Sequence, residues 1–158
     1  MEEKKYSEPK DYNKLVRDKM IEHIKGLWKD AIFHIASPEE KFPKAMEKLR
    51  EELAELKEAI QVMEKLQTET ELNSKNIEEK KKDVHREAAD VLEIRNTIIE
   101  NFTGVMPTDG REEINVVTSY LSSITLKYNL EIDKIFKMKE EKLSKKWWFS
   151  EWIILEKS

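Results

Sequence analysis

The 158-residue chain contains no cysteine. That excludes disulfides, thiolate metal sites and a thiol nucleophile. Only three glycines and four prolines interrupt it, and 39% of its residues are charged, against about 25% in an average domain. Few breakers and many Glu, Lys, Leu and Ile residues predict a mostly helical protein. No apolar run approaches the roughly 20 residues of a membrane span, and the polar opening MEEKKYSEPKDY has no apolar core of a secretion signal. Positive charge is not in excess either: 29 Lys and Arg stand against 33 Asp and Glu, for a net charge of −4. A duplex nucleic-acid binder usually carries a basic patch, so that class is disfavoured. These absences predict a soluble, cytoplasmic protein with no membrane partner. The length suits one domain with a buried core.

In chain order, residues 1–10 read as a mobile tail and residues 11–158 as a single helical domain. Tyr12 to Arg17 is an extended start, followed by a short helix that Asp18 is placed to cap, with Met20, Ile21, Ile24 and Leu27 on its apolar side. Ala31 to Ile35 is β-prone and reads as an extended connector. Ser37-Pro38-Glu39-Glu40 is a strong helix start: Ser as N-cap, Pro at the first helical position, and Glu40 completing a capping box. Phe42-Pro43 is expected to separate that turn from a helix over 44–67, striped by Leu49, Leu53, Leu56, Ile60 and Met63 at three- and four-residue spacing. The polar run Thr68–Asn76 marks a turn, and a second long helix follows over 77–100. Gly104, Pro107 and Gly110 mark a loop, with Asp109–Glu112 as the next cap. Helices are expected over 112–127 and 131–144, with Asn129 as the stop between them. The tail, Trp147 to Leu155, is aromatic and β-prone.

Two acidic clusters dominate the middle of the chain, Glu51-Glu52-Leu-Ala-Glu55 and Glu87-Ala-Ala-Asp90. Each contains carboxylates at i,i+3, which point off one helix face. A hairpin of the two long helices that sets the clusters level must turn near residue 71, where the turn signal independently lies. At about 100° per residue, Glu52 falls roughly 60° from the centre of the leucine stripe and Glu87 lies within the apolar arc of its helix. Carboxylates facing a packing interface cost several kcal/mol each unless paired or coordinated. A divalent cation resolves four of them at once, and all-oxygen ligands favour Mg²⁺, Mn²⁺ or Ca²⁺ over zinc. The alternative is a pair of solvated acidic faces, the commoner fate of such pairs in a chain so rich in Glu.

The order EExxE then ExxD resembles the all-α nucleoside triphosphate pyrophosphohydrolases of the MazG-like superfamily, which includes the phosphoribosyl-ATP pyrophosphohydrolases. The opening Tyr12-Asn-Lys-Leu-Val-Arg-Asp-Lys19 is similar to the NKLVRDKI start of one MazG-like subgroup. Lys145-Lys146-Trp147-Trp148-Phe149, then Ile153-Ile154-Leu155, sits where that subgroup has a basic-Gly-Gly-Phe segment and a short apolar strand. The resemblance implies a four-helix-bundle core with short extended N- and C-terminal segments, working as a homodimer or homotetramer. It implies Mg²⁺-dependent hydrolysis (Mn²⁺ as a substitute) of a nucleoside triphosphate or related nucleotide to the monophosphate and pyrophosphate, as nucleotide-pool house-cleaning. Carried over by position, Glu52, Glu55, Glu87 and Asp90 would be metal ligands, and Glu51 would position or deprotonate the attacking water. The chain departs from the pattern in three places. The clusters are separated by residues 56–86, longer than usual. Arg86 stands where a second acid often precedes ExxD. Trp147 and Trp148 replace the two glycines. The replacement motivates a second reading, a catalytically weak or inactive bundle that binds nucleotide or a protein partner. A third reading is a purely structural interaction module.

Lys14, Arg17 and Lys19 are candidates to contact a triphosphate, because basic groups beside a metal neutralise polyphosphate. Lys142, Lys145 and Lys146 share that reading; for both sets the alternative is a solvated basic face. Trp147, Trp148 and Trp152 are candidates for base stacking or for core and subunit interface. Asn96 is a candidate contact to base or sugar. His85 reads as a surface residue, or as one lying behind a ligand. His23 and His34 show no zinc spacing.

Overall fold

The computed structural model describes residues 11–27, 30–69, 74–144 and 149–157, without the side chains at 11, 12, 69, 74, 75, 142–144 and 157. Residues 1–10, expected as a tail, and Trp147 and Trp148 lie outside the described residues. The protein is mostly helical, as its composition implies. In order it runs β1 (Asp11–Val16), α1 (Met20–Gly26), β2 (Ile32–Ile35), α2 (Pro38–Glu69), α3 (Ser74–Phe102), α4 (Thr108–Lys127), α5 (Ile132–Ser144) and β3 (Ile153–Lys157). No described helix is long and apolar enough to cross a membrane.

The helix α2 forms where Ser37, Pro38 and Glu40 announce it. Glu40 Oε1 accepts the Ser37 N–H at 3.0 Å, the return half of a capping box. Pro43 does not break it, and the helix runs through to Glu69. A proline this near the start removes only one of the early intrahelical bonds. The leucine stripe does what its spacing predicts: Leu49, Leu56, Ile60 and Met63 are buried against Val84, Ala88, Val91 and Ile98 of α3 in one apolar core. The helices α2 and α3 form the principal contact of the fold, and α5 packs on α3. The helix α4 adds Ile114, Val117 and Ile124 to the same core. A bidentate Arg50–Glu113 pair (2.7 and 2.8 Å) ties α4 to α2. Asn129 ends α4 with φ 54°, the left-handed conformation that Asn tolerates better than most residues.

Several local expectations are overturned by tertiary contacts. Asp18 does not cap α1. The residue before α1 is Lys19, without a side-chain cap, while the Asp18 carboxylate accepts the Ser150 and Glu151 N–H groups at 3.1 and 3.0 Å and the Ser150 hydroxyl. Asp109 does not precede α4 but lies in its first turn, accepting the N–H of Gly110. Ile132 and Phe136, apolar residues of α5, are exposed. The extended segments at the two ends are not independent. They join β2 in a three-stranded antiparallel sheet, order β1-β3-β2, with Leu15 opposite Ile154 and His34 opposite Ile154 on the other side. The central strand β3 buries Ile153, Ile154 and Leu155. Trp152 is not a free stacking surface: it is buried, edge-on to Phe102 (5.6 Å between centroids), which is itself edge-on to Phe42.

His85 is buried rather than on the surface. Its Nε2 accepts the N–H of Glu131 at 2.8 Å, satisfying a free donor at the start of α5. Burial holds its pKa below the ordinary 6.5. A depressed folded pKa means that the stabilising contribution is present above the ordinary value and is lost as pH falls through the folded one. On acidification from about pH 7 to below about pH 6, wild type should therefore lose more stability than His85→Gln, as read by denaturant unfolding. Equal losses would show that this bond does not depend on a neutral His85.

Gly110 is buried, and a Cβ there would lie 2.7 Å from Phe42 Cζ and 3.4 Å from Met106 Cγ. Gly110→Ala should cost about 1–3 kcal/mol by overpacking, and Phe42→Leu should recover part of that in the double variant. Thermal unfolding of the four proteins checks the coupling.

Candidate metal centre

The α2–α3 hairpin brings the two acidic clusters together. Glu52 and Asp90 are buried, 5% and 9% exposed, and Glu87 is half-buried. One carboxylate oxygen from each of the three lies within 4.8 Å of the others. Oxygen ligands at about 2.0–2.6 Å from one divalent cation stand up to about 4–5 Å apart, so this spacing admits a single cation. Among the described residues, Glu52 Oε2 is buried with no hydrogen-bond partner, the condition that a cation relieves. The donors are all carboxylate oxygens, which select Mg²⁺, Mn²⁺ or Ca²⁺. The residues present therefore fit a divalent cation.

Glu55 stands outside this trio. It is exposed, one turn beyond Glu52 on α2, and lines a groove of about 270 Å³ with Glu87, Glu58 and Asp83. Partial burial, then the neighbouring Glu52 and Glu87, raise its carboxyl to about 7. Glu51 has the opposite environment. Burial pushes its carboxyl up, but Lys48 at 3.2 Å and Lys14 at 3.4 Å outweigh burial and hold it below the usual range. A carboxylate so held is a weak proton acceptor.

Arg17 reaches the cluster from the end of β1. It is buried, and its Nη2 donates to Asp90 Oδ1 at 3.3 Å and Glu93 Oε1 at 2.8 Å. The guanidinium lies 4.7 Å from the centroid of the Phe149 ring. Its charge thus faces the acids themselves. Lys19 makes no ion pair among the described residues. Asn96 accepts from Arg95 at 2.9 Å, and nine residues at about 100° each place it half a turn around α3 from Glu87; the structure does not bring it to the cluster. The side chain of Lys142, and Lys145 and Lys146 entirely, lie outside the described residues.

Three participants went unnoticed in the sequence. Lys48 donates to Glu51 at 3.2 Å and forms an ion pair with Glu52 at 3.1 Å; its place four residues before Glu52 was the available signal. Glu93 is 4% exposed, and its Oε2 has no hydrogen-bond partner among the described residues. Burial raises its carboxyl to about 7 against the opposing pull of Arg17. It continues the Glu87, Asp90 spacing by three more residues, so the same helix face could have revealed it. Phe149 supplies the ring beneath Arg17, a contact no local pattern encodes.

Compared with protein-family models, curated proteins and solved structures, the chain matches none.

The pH dependence of cation binding follows from Glu55 and Glu93. Both are raised from the ordinary 4.5 to about 7, so folding takes up protons. Their contribution to stability is fully present below the ordinary value and is lost as pH rises through about 7. A cation held by the trio would disfavour those protons through its charge, so Mn²⁺ should raise the Tm little near pH 5 and most above about pH 7. Calorimetric scans across that range check it, and a gain independent of pH would contradict it.

Proposed function

We propose that this protein is a Mg²⁺- or Mn²⁺-dependent nucleotide pyrophosphohydrolase of the MazG-like kind, with α2, α3, α4 and α5 as a four-helix core and a dimer or tetramer as the working form. One observation carries the reading: Glu52, Glu87 and Asp90 converge to within 4.8 Å across the hairpin, with a buried Glu52 oxygen that no described residue hydrogen-bonds. Solvated acidic faces would not be buried, and a structural module has no reason to keep such a cost.

In this reading Glu52, Glu87 and Asp90 hold the cation, with Glu55 completing the set from the groove side. When bound, the cation supplies charge neutralisation and polarisation of the phosphoanhydride. Water attacks the α-phosphorus, the bond from that phosphorus to the α–β bridging oxygen breaks, and pyrophosphate leaves; the water's proton passes to solvent. Such transfers need positioning and electrostatics more than covalent help. Glu51, held ionised by two lysines, is suited to orient the attacking water through a hydrogen bond rather than to retain its proton. Arg17 keeps Asp90 and Glu93 in place from behind.

The test is a panel of nucleoside triphosphates with Mg²⁺ or Mn²⁺, with pyrophosphate detected directly. Release is expected from at least one of them. Glu52→Gln and Glu87→Gln should each lower kcat by about 100-fold or more, since even partners behind metal ligands are worth about 10–100-fold. Their circular dichroism should match wild type. A wild-type chain that releases no pyrophosphate from any of them defeats the proposal, and tight nucleotide binding without release would favour the non-catalytic alternative.

A further inference from the structure

We propose that Lys48 is a substrate-binding residue: its ammonium receives the polyphosphate of the bound nucleotide and couples that binding to the cation. This rests on the metal-dependent reading above. The argument starts from the basic groups that touch the acidic trio, which among the described residues are Arg17 and Lys48. Arg17 has a second and closer buried partner in Glu93, at 2.8 Å, and a ring against its face. A cation at the trio leaves that second pair intact, so Arg17 stays where it is. Lys48 is placed differently. Its Nζ lies 3.1 Å from Glu52 Oε1 and 3.2 Å from Glu51 Oε1, and its side chain is only 10% exposed. It is therefore a fixed positive charge on the carboxylate that a cation would need most.

Two positive charges cannot share Glu52 without repulsion. A cation binding to Glu52 weakens the Lys48–Glu52 pair and leaves Lys48 with Glu51, one-third exposed, as its remaining partner. An ammonium carries three donors, so Lys48 then presents unsatisfied donors beside the cation. A polyphosphate supplies oxygens to both at once. Lys14, 31% exposed, lies 3.4 Å from Glu51, the outer acid of the cluster. Lys48 thus opposes the cation in the absence of polyphosphate and favours it in its presence. A lysine that merely holds Glu51 and Glu52 in position would help the cation in both circumstances, so the two roles differ in sign.

The experiment uses Mn²⁺ alone and then inorganic pyrophosphate added to the Mn²⁺-loaded protein, each followed by titration calorimetry. Lys48→Met should bind Mn²⁺ at least as tightly as wild type while binding pyrophosphate about tenfold or more weakly, the loss expected of a charged hydrogen bond. Lys48→Arg keeps the charge and should retain most of the pyrophosphate affinity. If Lys48→Met does not fold, as judged by circular dichroism, Lys48→Gln carries the same expectation with a polar side chain at this partly wet position. Weakened Mn²⁺ binding with unchanged pyrophosphate binding would assign Lys48 a structural role and overturn the inference. Unchanged binding of both would also overturn it while leaving the metal centre standing. A wild-type protein that binds no Mn²⁺ would instead remove the metal-dependent reading, and this inference with it.

Discussion

Negative charge held inside a helix hairpin is the constraint on which the rest of this structure depends. Glu52 and Asp90 are buried by the same interface that buries Leu49, Leu56 and Val91, because they share its helical period. Carboxylates there have lost water and gained each other, and the fold must answer both effects. Among the described residues it does so partly with Lys48 and Arg17. Lys48 answers from within α2, at the distance of one helical turn. Arg17 answers from β1, far away in sequence, and carries Glu93 with it. Among the described residues the compensation is incomplete, since Glu52 and Glu93 each keep a buried oxygen without a hydrogen bond. An incompletely compensated acidic cluster is unstable scaffolding and a good cation site, and that asymmetry favours the functional reading over a decorative one.

The small sheet acquires its purpose from the same requirement. To deliver Arg17 to α3, β1 must be held against the helices, and β3 holds it by pairing Leu15 with Ile154 and Val16 with Ile153. Phe149, just before β3, places its ring against the guanidinium. Asp18, just after β1, binds the backbone of Ser150 and Glu151. The N- and C-terminal segments are thus cross-linked on both sides of Arg17. On the far side of β3, β2 joins the sheet to the start of α2: His34 bridges Glu156 and Glu40 at 2.9 and 3.1 Å, and the same Glu40 caps that helix. The Glu156 bond first and the Glu40 bond second raise the His34 pKa above its ordinary value, so this clasp is strongest below neutral pH and loosens as pH rises.

The sequence by itself determined what depends on period and local chemistry. The leucine stripe and the polar run near residue 71 specified a long hairpin, and the level placement of the two acidic clusters followed from counting residues. The capping box at Ser37–Glu40 and the left-handed stop at Asn129 were equally legible, because each is built from neighbours in the chain. Glu52 and Glu87 could be placed at the interface from their projection alone. Tertiary structure decided everything that needs partners from elsewhere. Asp18 had the right chemistry for a helix cap, but the donors of Ser150 and Glu151 claimed it. Arg17 had the right chemistry for a phosphate contact, and two buried carboxylates claimed it instead. His85 looked like a surface residue until α5 presented an unsatisfied N–H. The three strands were individually visible as extended or β-prone segments, yet their order β1-β3-β2 was not, because strand pairing is a long-range choice that no local period encodes. A side chain's type says which bonds it can make; only the folded arrangement decides which partner, at which distance, it makes them with.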